Sequence, residues 1–235
     1  MDISFSENFN LKQYRDDFQQ DRRTRIESVF DNTLAHRLSN HLTKDISYIN
    51  AYTQNGQPAT ATTDEIKRWP AEKQKHFIQT LYADASQGVG FYYGRHKIER
   101  KDNEQNLSAK VFQWLNSPDT IEKIKQITAA EDIICASAQA TRYTPGNYLT
   151  RHNDVHPAEQ RRIAYVLNFT EAWHPDWGGN LQFYQQNGTP RDAWSPLFNS
   201  MTLFDVNHVH SVTYVAPFAL RPRVAITGWF RATPL

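Results

Sequence analysis

The sequence predicts a mainly β chain whose strands build a sandwich- or barrel-like core, with helices flanking it on the N-terminal side. Three observations carry that expectation. Apolar residues recur at helical spacing up to about residue 130, whereas short strand-like runs separated by turn residues follow it. Those later runs are closely and regularly placed, as in all-β sandwiches and barrels. Hydrophobic residues make up 39% of 235 residues, enough for a sizeable core and against wholesale disorder.

The elements follow in order. Leu34, Leu38 and Leu42 recur every four residues behind Asp31-Asn32-Thr33, a capping-type start, and predict an amphipathic helix. Residues 46–52 read as a strand. Phe77, Ile78, Leu81 and Tyr82 stripe a second helix after Trp69-Pro70, and 89–93 is again strand-like. The stretch 95–106 is charged and poor in apolar residues, so it reads as an exposed loop and a candidate lid. Val111, Phe112 and Leu115 mark a third helix; Ser117-Pro118-Asp119 opens a fourth carrying Ile121, Ile124 and Ile127. Strands are then expected at 133–143, 163–169, 181–184, 200–204, 209–215 and 224–230, with turns at Pro145-Gly146-Asn147 and Gly178-Gly179. The glycine pair serves the backbone of a tight turn. The whole is read as one domain, 1–235. In it a helical and β support region, 1–130, buttresses a double-stranded β-helix of the jelly-roll type at 131–235.

Bulk properties narrow the function. Lys+Arg 26 against Asp+Glu 25 leaves a net charge of +1, which gives no support to nucleic-acid coating or polybasic membrane attachment. The lone cysteine, Cys135, sits in the apolar run Ile133-Ile134-Cys135-Ala136 and reads as core, so a reducing cytoplasm is the expected compartment. A signal peptide and a membrane-length apolar run are both absent, and the expectation is a soluble cytoplasmic protein.

His152-Asn153-Asp154 is the most telling triplet. On a strand, side chains alternate, so the imidazole and the carboxylate point at one spot. A distant histidine would complete a two-histidine, one-carboxylate face with open metal positions, the geometry of non-haem Fe(II) and oxygen chemistry. His208 and His210 share strand parity, so period alone does not choose between them. His156 shares parity with Asp154, but Pro157 follows and tends to end regular pairing. Arg221 and Arg223 likewise share parity as candidate anion-binding cations.

Several segments recur in an order that resembles one family. They are Tyr143-Thr-Pro-Gly-Asn, Arg151-His152-Asn153-Asp154, Tyr165-Val-Leu-Asn168, Trp177-Gly-Gly-Asn-Leu181-Gln-Phe183, His210-Ser211-Val212 and Arg223-Val-Ala-Ile-Thr-Gly-Trp-Phe230. Together, over roughly the C-terminal 95 residues, they resemble the prolyl-4-hydroxylase family of 2-oxoglutarate- and Fe(II)-dependent dioxygenases. The resemblance implies that His152, Asp154 and His210 bind iron. It implies that Arg223, rather than Arg221, holds the distal carboxylate of 2-oxoglutarate, assisted by the Tyr143 hydroxyl. Thr227 and Trp229 would stand near the metal or pack in the core.

The cofactor and cosubstrates implied are Fe(II), 2-oxoglutarate and O2, with ascorbate as an auxiliary reductant. Halogenating relatives lack the carboxylate at the position of Asp154, so its presence implies hydroxylation. The implied substrate is a prolyl residue in a protein or peptide. The alternatives are a free amino acid or metabolite, or a jelly-roll binding module without turnover. Oligomeric state is not readable from the sequence.

Overall fold

A computed structural model describes residues 3–99, 102 and 106–235. Helix α1 (Leu11–Asp21) leads into strand β1 (Arg23–Glu27), helix α2 (Asn32–Lys44) and the hairpin β2 (Ile49–Gln54) and β3 (Gln57–Ala61). Helices α3 (Thr63–Arg68) and α4 (Ala71–Ser86) precede β4 (Phe91–Ile98), and α5 (Leu107–Leu115) and α6 (Pro118–Thr128) follow it. The remainder is β5 (Cys135–Ala136), β6 (Ala138–Tyr143), β7 (Tyr148–His152), β8 (Arg161–Asn168), β9 (Leu181–Tyr184), β10 (Pro190–Trp194), β11 (Ser200–Asp205), β12 (His210–Val212) and β13 (Arg223–Arg231). A 3₁₀ turn, Pro175–Trp177, interrupts the strands.

The strands form one curled antiparallel sheet in the order β1-β11-β8-β13-β6-β4-β7-β12-β9-β10, the jelly-roll core with flanking helices that the sequence predicts. β4 makes the bend. Its Gly94–Ile98 portion pairs with β6, and Phe91 and Tyr92 pair with β7, so one strand serves both halves. The curl brings the first and last strands of that order together. Arg23 on β1 makes a bidentate ion pair with Asp192 on β10, at 2.6 and 2.7 Å. Its guanidinium lies over Phe183 and Trp194, and Nε donates to Asp21. A buried arginine between two aromatic planes is a rigid clasp, because its charge is matched and its flat face is covered.

Strand alternation divides the packing into two sides. From β8, Ile163, Tyr165 and Leu167 point to the helices; from β13, Val224, Ile226 and Phe230 do the same. They meet Leu34, Leu38 and Leu42 of α2 in one large apolar core. Each such fully buried side chain contributes about 1.5–3 kcal/mol. Asp31 caps α2, accepting from Thr33 N and Leu34 N, and Ser117 caps α6, as the sequence predicts. Ala164, Val166 and Ala225, joined by Phe204 of the neighbouring β11, point the other way, toward Leu181 and Phe183 on the opposing half.

Several expectations need correction. β2 begins at Ile49 rather than 46, and β4 runs on to Ile98, so the front of the 95–106 stretch is sheet, with Ile98 buried. Asn106 caps α5, and residues 100, 101 and 103–105 of the candidate lid lie outside the described residues. On α4 only Phe77 and Leu81 are buried; Ile78 and Tyr82 face outward, because that helix lays a single face on β2, β3 and Tyr92 of β4. Cys135 is half-buried, its thiol donating to Thr233 O, while Ile134 is exposed. That run alternates as an edge strand instead of filling the core. The sheet also crosses the boundary near residue 130, since β1 and β4 are integral strands. β12 stops at Val212, short of the predicted 215.

Candidate active site

His152 ends β7, Asp154 follows two residues later, and His210 opens β12 directly opposite His152 in the ladder. Their ligand atoms lie within 4.8 Å of one another, the one such cluster among the described residues. His152 Nε2 is 3.6 Å from Asp154 Oδ1, and His210 Nε2 is 3.5 Å from Asp154 Oδ2. The backbone sets the tautomers. His152 Nδ1 lies 2.9 Å from Thr150 O and His210 Nδ1 lies 3.0 Å from His208 O; a carbonyl can only accept, so each Nδ1–H donates. Each neutral ring is left with its Nε2 lone pair aimed at the common centre, the usual outer support of a metal-binding histidine.

Electrostatics agree with that arrangement. Burial would raise Asp154, but the contact with His152 and the charge interaction with His210 outweigh it, and the carboxyl stays below its ordinary range. Burial pulls His152 down, yet the Asp154 contact prevails and its pKa rises above the ordinary value. His210, more deeply buried, is pushed down to about 4 and is neutral at physiological pH. Asp154 N donates to Val206 O, anchoring the residue from behind.

The cluster opens into a cavity of about 530 Å³. Arg223, only 3% exposed, lies in its wall, opposite Tyr143 across the β13–β6 ladder, with its guanidinium 5.3 Å from the Tyr143 ring centre. Its Nε and Nη1 are buried without a hydrogen-bond partner, although buried guanidinium groups ordinarily have partners. Burial draws Arg223 below the usual arginine range, and burial raises Tyr143 well above the usual tyrosine value. Arg221, which parity could not separate from Arg223, is exposed and donates to Glu171 O. His208 points to Asp21 O, and exposed His156 accepts from Glu159 N, so neither joins the cluster.

Thr227 and Trp229 both line the cavity, and Arg161 stacks 3.5 Å from the Trp229 ring. Gly178 and Gly179 have positive φ, and a Cβ on Gly178 would collide with Tyr214 O, which confirms their backbone role. Tyr93, Gln139 and Thr141 of the same wall were not anticipated. Gln139 and Thr141 precede Tyr143 at steps of two, so strand period anchored on Tyr143 would have found them. Tyr93, stacked 5.0 Å over Tyr143, comes from a different strand and left no such signal.

Comparison with known proteins gives the same answer. The family profile of the 2OG-Fe(II) oxygenase superfamily matches residues 138–231. That segment is a 2OG-Fe(II) oxygenase domain. The structure is similar to a Pseudomonas putida prolyl-4-hydroxylase, at 18% identity and a TM-score of 0.62, over 96% of this chain and 100% of that one. It is similar to a Trichoplax adhaerens prolyl hydroxylase in complex with a hypoxia inducible factor oxygen degradation domain peptide fragment, at 14% identity and a TM-score of 0.63, over 97% and 94%. A Burkholderia pseudomallei oxidoreductase of the 2OG-Fe(II) oxygenase family aligns at 12% identity and a TM-score of 0.62, over 99% and 96%. At these identities the structures share the fold. No curated protein sequence matches. The enzyme is a dioxygenase by its matched domain and its His152-Asp154-His210 cluster. No helix among the described residues is long and apolar enough to cross a membrane.

Proposed function

We propose that this dioxygenase hydroxylates a prolyl residue within a polypeptide, using His152, Asp154 and His210 to hold Fe(II) and Arg223 with Tyr143 to hold 2-oxoglutarate. The observation that carries the ligand assignment is the pairing, in one cavity, of a two-histidine, one-carboxylate cluster with a buried arginine lacking an anion. Neutral imidazoles and a carboxylate suit Fe(II), and an unpaired guanidinium in a cavity wall suits the far carboxylate of a dicarboxylic acid. Fe(II) with 2-oxoglutarate and O2 supplies the oxidant for an unactivated C–H bond, leaving succinate and CO2.

The chain's own residues position and shield that chemistry. Thr150 O and His208 O fix both imidazoles in the metal-binding tautomer. Asp154 remains anionic and offsets part of a dication's charge. The Arg223 cation compensates a carboxylate away from bulk water, and the Tyr143 hydroxyl can donate beside it. Ala164, Val166 and Leu181 give the cavity apolar walls that exclude water.

The polypeptide reading is supported by neighbours described as prolyl hydroxylases, one with a peptide bound. It is also supported by the way the cavity adjoins a surface groove. The test is incubation with Fe(II), 2-oxoglutarate and O2 and either prolyl peptides or free amino acids and metabolites, read by mass spectrometry. Gain of one oxygen on the peptides is expected. Gain on metabolites alone would assign a small-molecule hydroxylase, and absence of any 2-oxoglutarate turnover would leave a binding module.

A further inference from the structure

We infer that Arg151 makes this enzyme select polypeptides with an acidic side chain close to the hydroxylated residue, a proposal that rests on the polypeptide reading above. The residue is placed by a β-bulge. Across the β7–β12 ladder His152 faces His210, but Leu149 faces Val212, so β7 carries one residue more than its partner between them. Bulges of this kind re-aim a side chain beside active sites. Here Thr150 turns its hydroxyl to Gly90 O at 2.8 Å, and Arg151 emerges exposed at the rim.

Arg151 lines both the catalytic cavity and an adjoining groove of about 530 Å³. Among the described residues lining that groove it is the single charged side chain; the rest of the wall is tyrosine-rich, with Tyr82, Tyr148, Tyr184 and Tyr214. It has no carboxylate partner among the described residues. Its guanidinium instead rests 5.5 Å from the centre of the Tyr184 ring, whose hydroxyl is tied to Ser211 Oγ at 2.9 Å. A Cβ on Gly188 would sit 2.5 Å from Arg151 Nη1, so the glycine leaves the space that the guanidinium fills. The cation is therefore held in place by packing while its charge stays unmatched.

That combination fits one class of occupant. Tyrosine rings with ordered hydroxyl tips suit an extended peptide carrying prolyl or other apolar side chains, because they offer large rigid contact faces. An unmatched cation at the groove's junction with the cavity favours an anion on the ligand over a neutral or cationic group. Arg151 precedes the candidate metal ligand His152 in the chain. A carboxylate reaching it therefore belongs to a residue within about three positions of the one in the cavity, at roughly 3.3 Å per extended residue.

The experiment compares kcat/KM for matched prolyl peptides bearing Glu, Gln or Lys at each of those flanking positions, on the full-length enzyme. The wild-type enzyme should favour the Glu peptide over its Gln counterpart by about five- to tenfold at one position or more. R151Q should bring that ratio near unity, R151K should retain most of it, and R151E should favour Lys over Glu. Because each ratio is taken within one protein, a general loss of activity cancels. Hydroxylated peptides with no preference for Glu in the wild-type enzyme, or a preference untouched in R151Q and R151E, overturn the inference and leave the polypeptide reading intact. Oxygen gain confined to free amino acids or metabolites overturns both.

Discussion

On one side of β8 and β13, Ile163, Leu167, Val224 and Ile226 are packed against helices with almost no exposure. On the other side, Val166, Arg223 and Thr227 wall a cavity beside the His152-Asp154-His210 cluster. The same two strands supply both sides, because consecutive side chains point to opposite faces. On the helix side the apolar surface is covered and Tyr165 donates its hydroxyl to Ser137 O, which leaves the Trp114 indole N–H as that core's unpartnered donor among the described residues. The cavity side keeps a charged unmet need, Arg223 Nε and Arg223 Nη1. A fold spends its stability on the first side and its chemistry on the second.

The most severe way to test that division is to remove a metal-cluster member. Asp154→Ala or His210→Ala should lower 2-oxoglutarate turnover by about a thousandfold or more, since an electrophilic metal contributes several kcal/mol. Denaturation midpoints measured alongside should change far less than activity; collapse of the fold would merge the two sides into one.

The opposite substitution lies on the helix side. Leu38→Ala should cost about 2–5 kcal/mol of stability, the range for a buried leucine truncated in a packed core. At a temperature where the variant is folded, its KM for 2-oxoglutarate should match the wild-type enzyme. A KM shift beyond twofold would show that the helices tune the cavity directly.

Between these lies Arg223→Met in the absence of cosubstrate. Removing a buried, unpartnered guanidinium should raise the free energy of unfolding by about 1–3 kcal/mol, measured in urea at constant slope. A loss of stability would mean that Arg223 is a structural cation, and the contrast between the two sides would fail at its central residue.

The mildest effect is on pH. In the metal-free protein the proton on His152 is held more tightly than usual, so below its raised pKa a metal ion must displace it. Affinity for Mn(II) should be level above that pKa and weaken as pH falls through it. His210, held at about 4, adds nothing in that window. Isothermal titration between pH 6 and 8 would show it, and an affinity that rose on acidification would contradict the assignment.

Much of this was legible because alternation and ordered motifs are strong local signals. His152, Asp154, His210, Arg223 and Tyr143 were named from sequence, and the structure gathers the first three within 4.8 Å and sets the other two in the same cavity. The N-terminal elements were harder. α1 has only Tyr14 and Phe18 buried, so its periodicity is faint, and β1, the edge strand beside β11, is too charged to read as a strand. The β2–β3 hairpin does carry a signal: Asn55-Gly56, both at positive φ, is a favoured two-residue turn. The placement of Tyr93 and Arg151 beside the cavity has no local sequence signal, since one depends on β4 bridging two halves of the sheet and the other on a bulge.

The central claim is that the cavity holds a dicarboxylic cosubstrate through Arg223 beside a metal at His152, Asp154 and His210. Anaerobic titration of the Fe(II)-loaded protein with 2-oxoglutarate tests it most directly, run on the wild-type protein, Arg223→Met and Arg221→Met. The wild-type protein should bind saturably, and Arg223→Met at least about thirtyfold more weakly, as expected for losing a buried charge-assisted contact of about 2–5 kcal/mol. Arg221→Met, whose arginine is exposed and donates to a backbone carbonyl, should bind as the wild-type protein does. Equal affinity in Arg223→Met and the wild-type protein, or a larger loss in Arg221→Met, would contradict it.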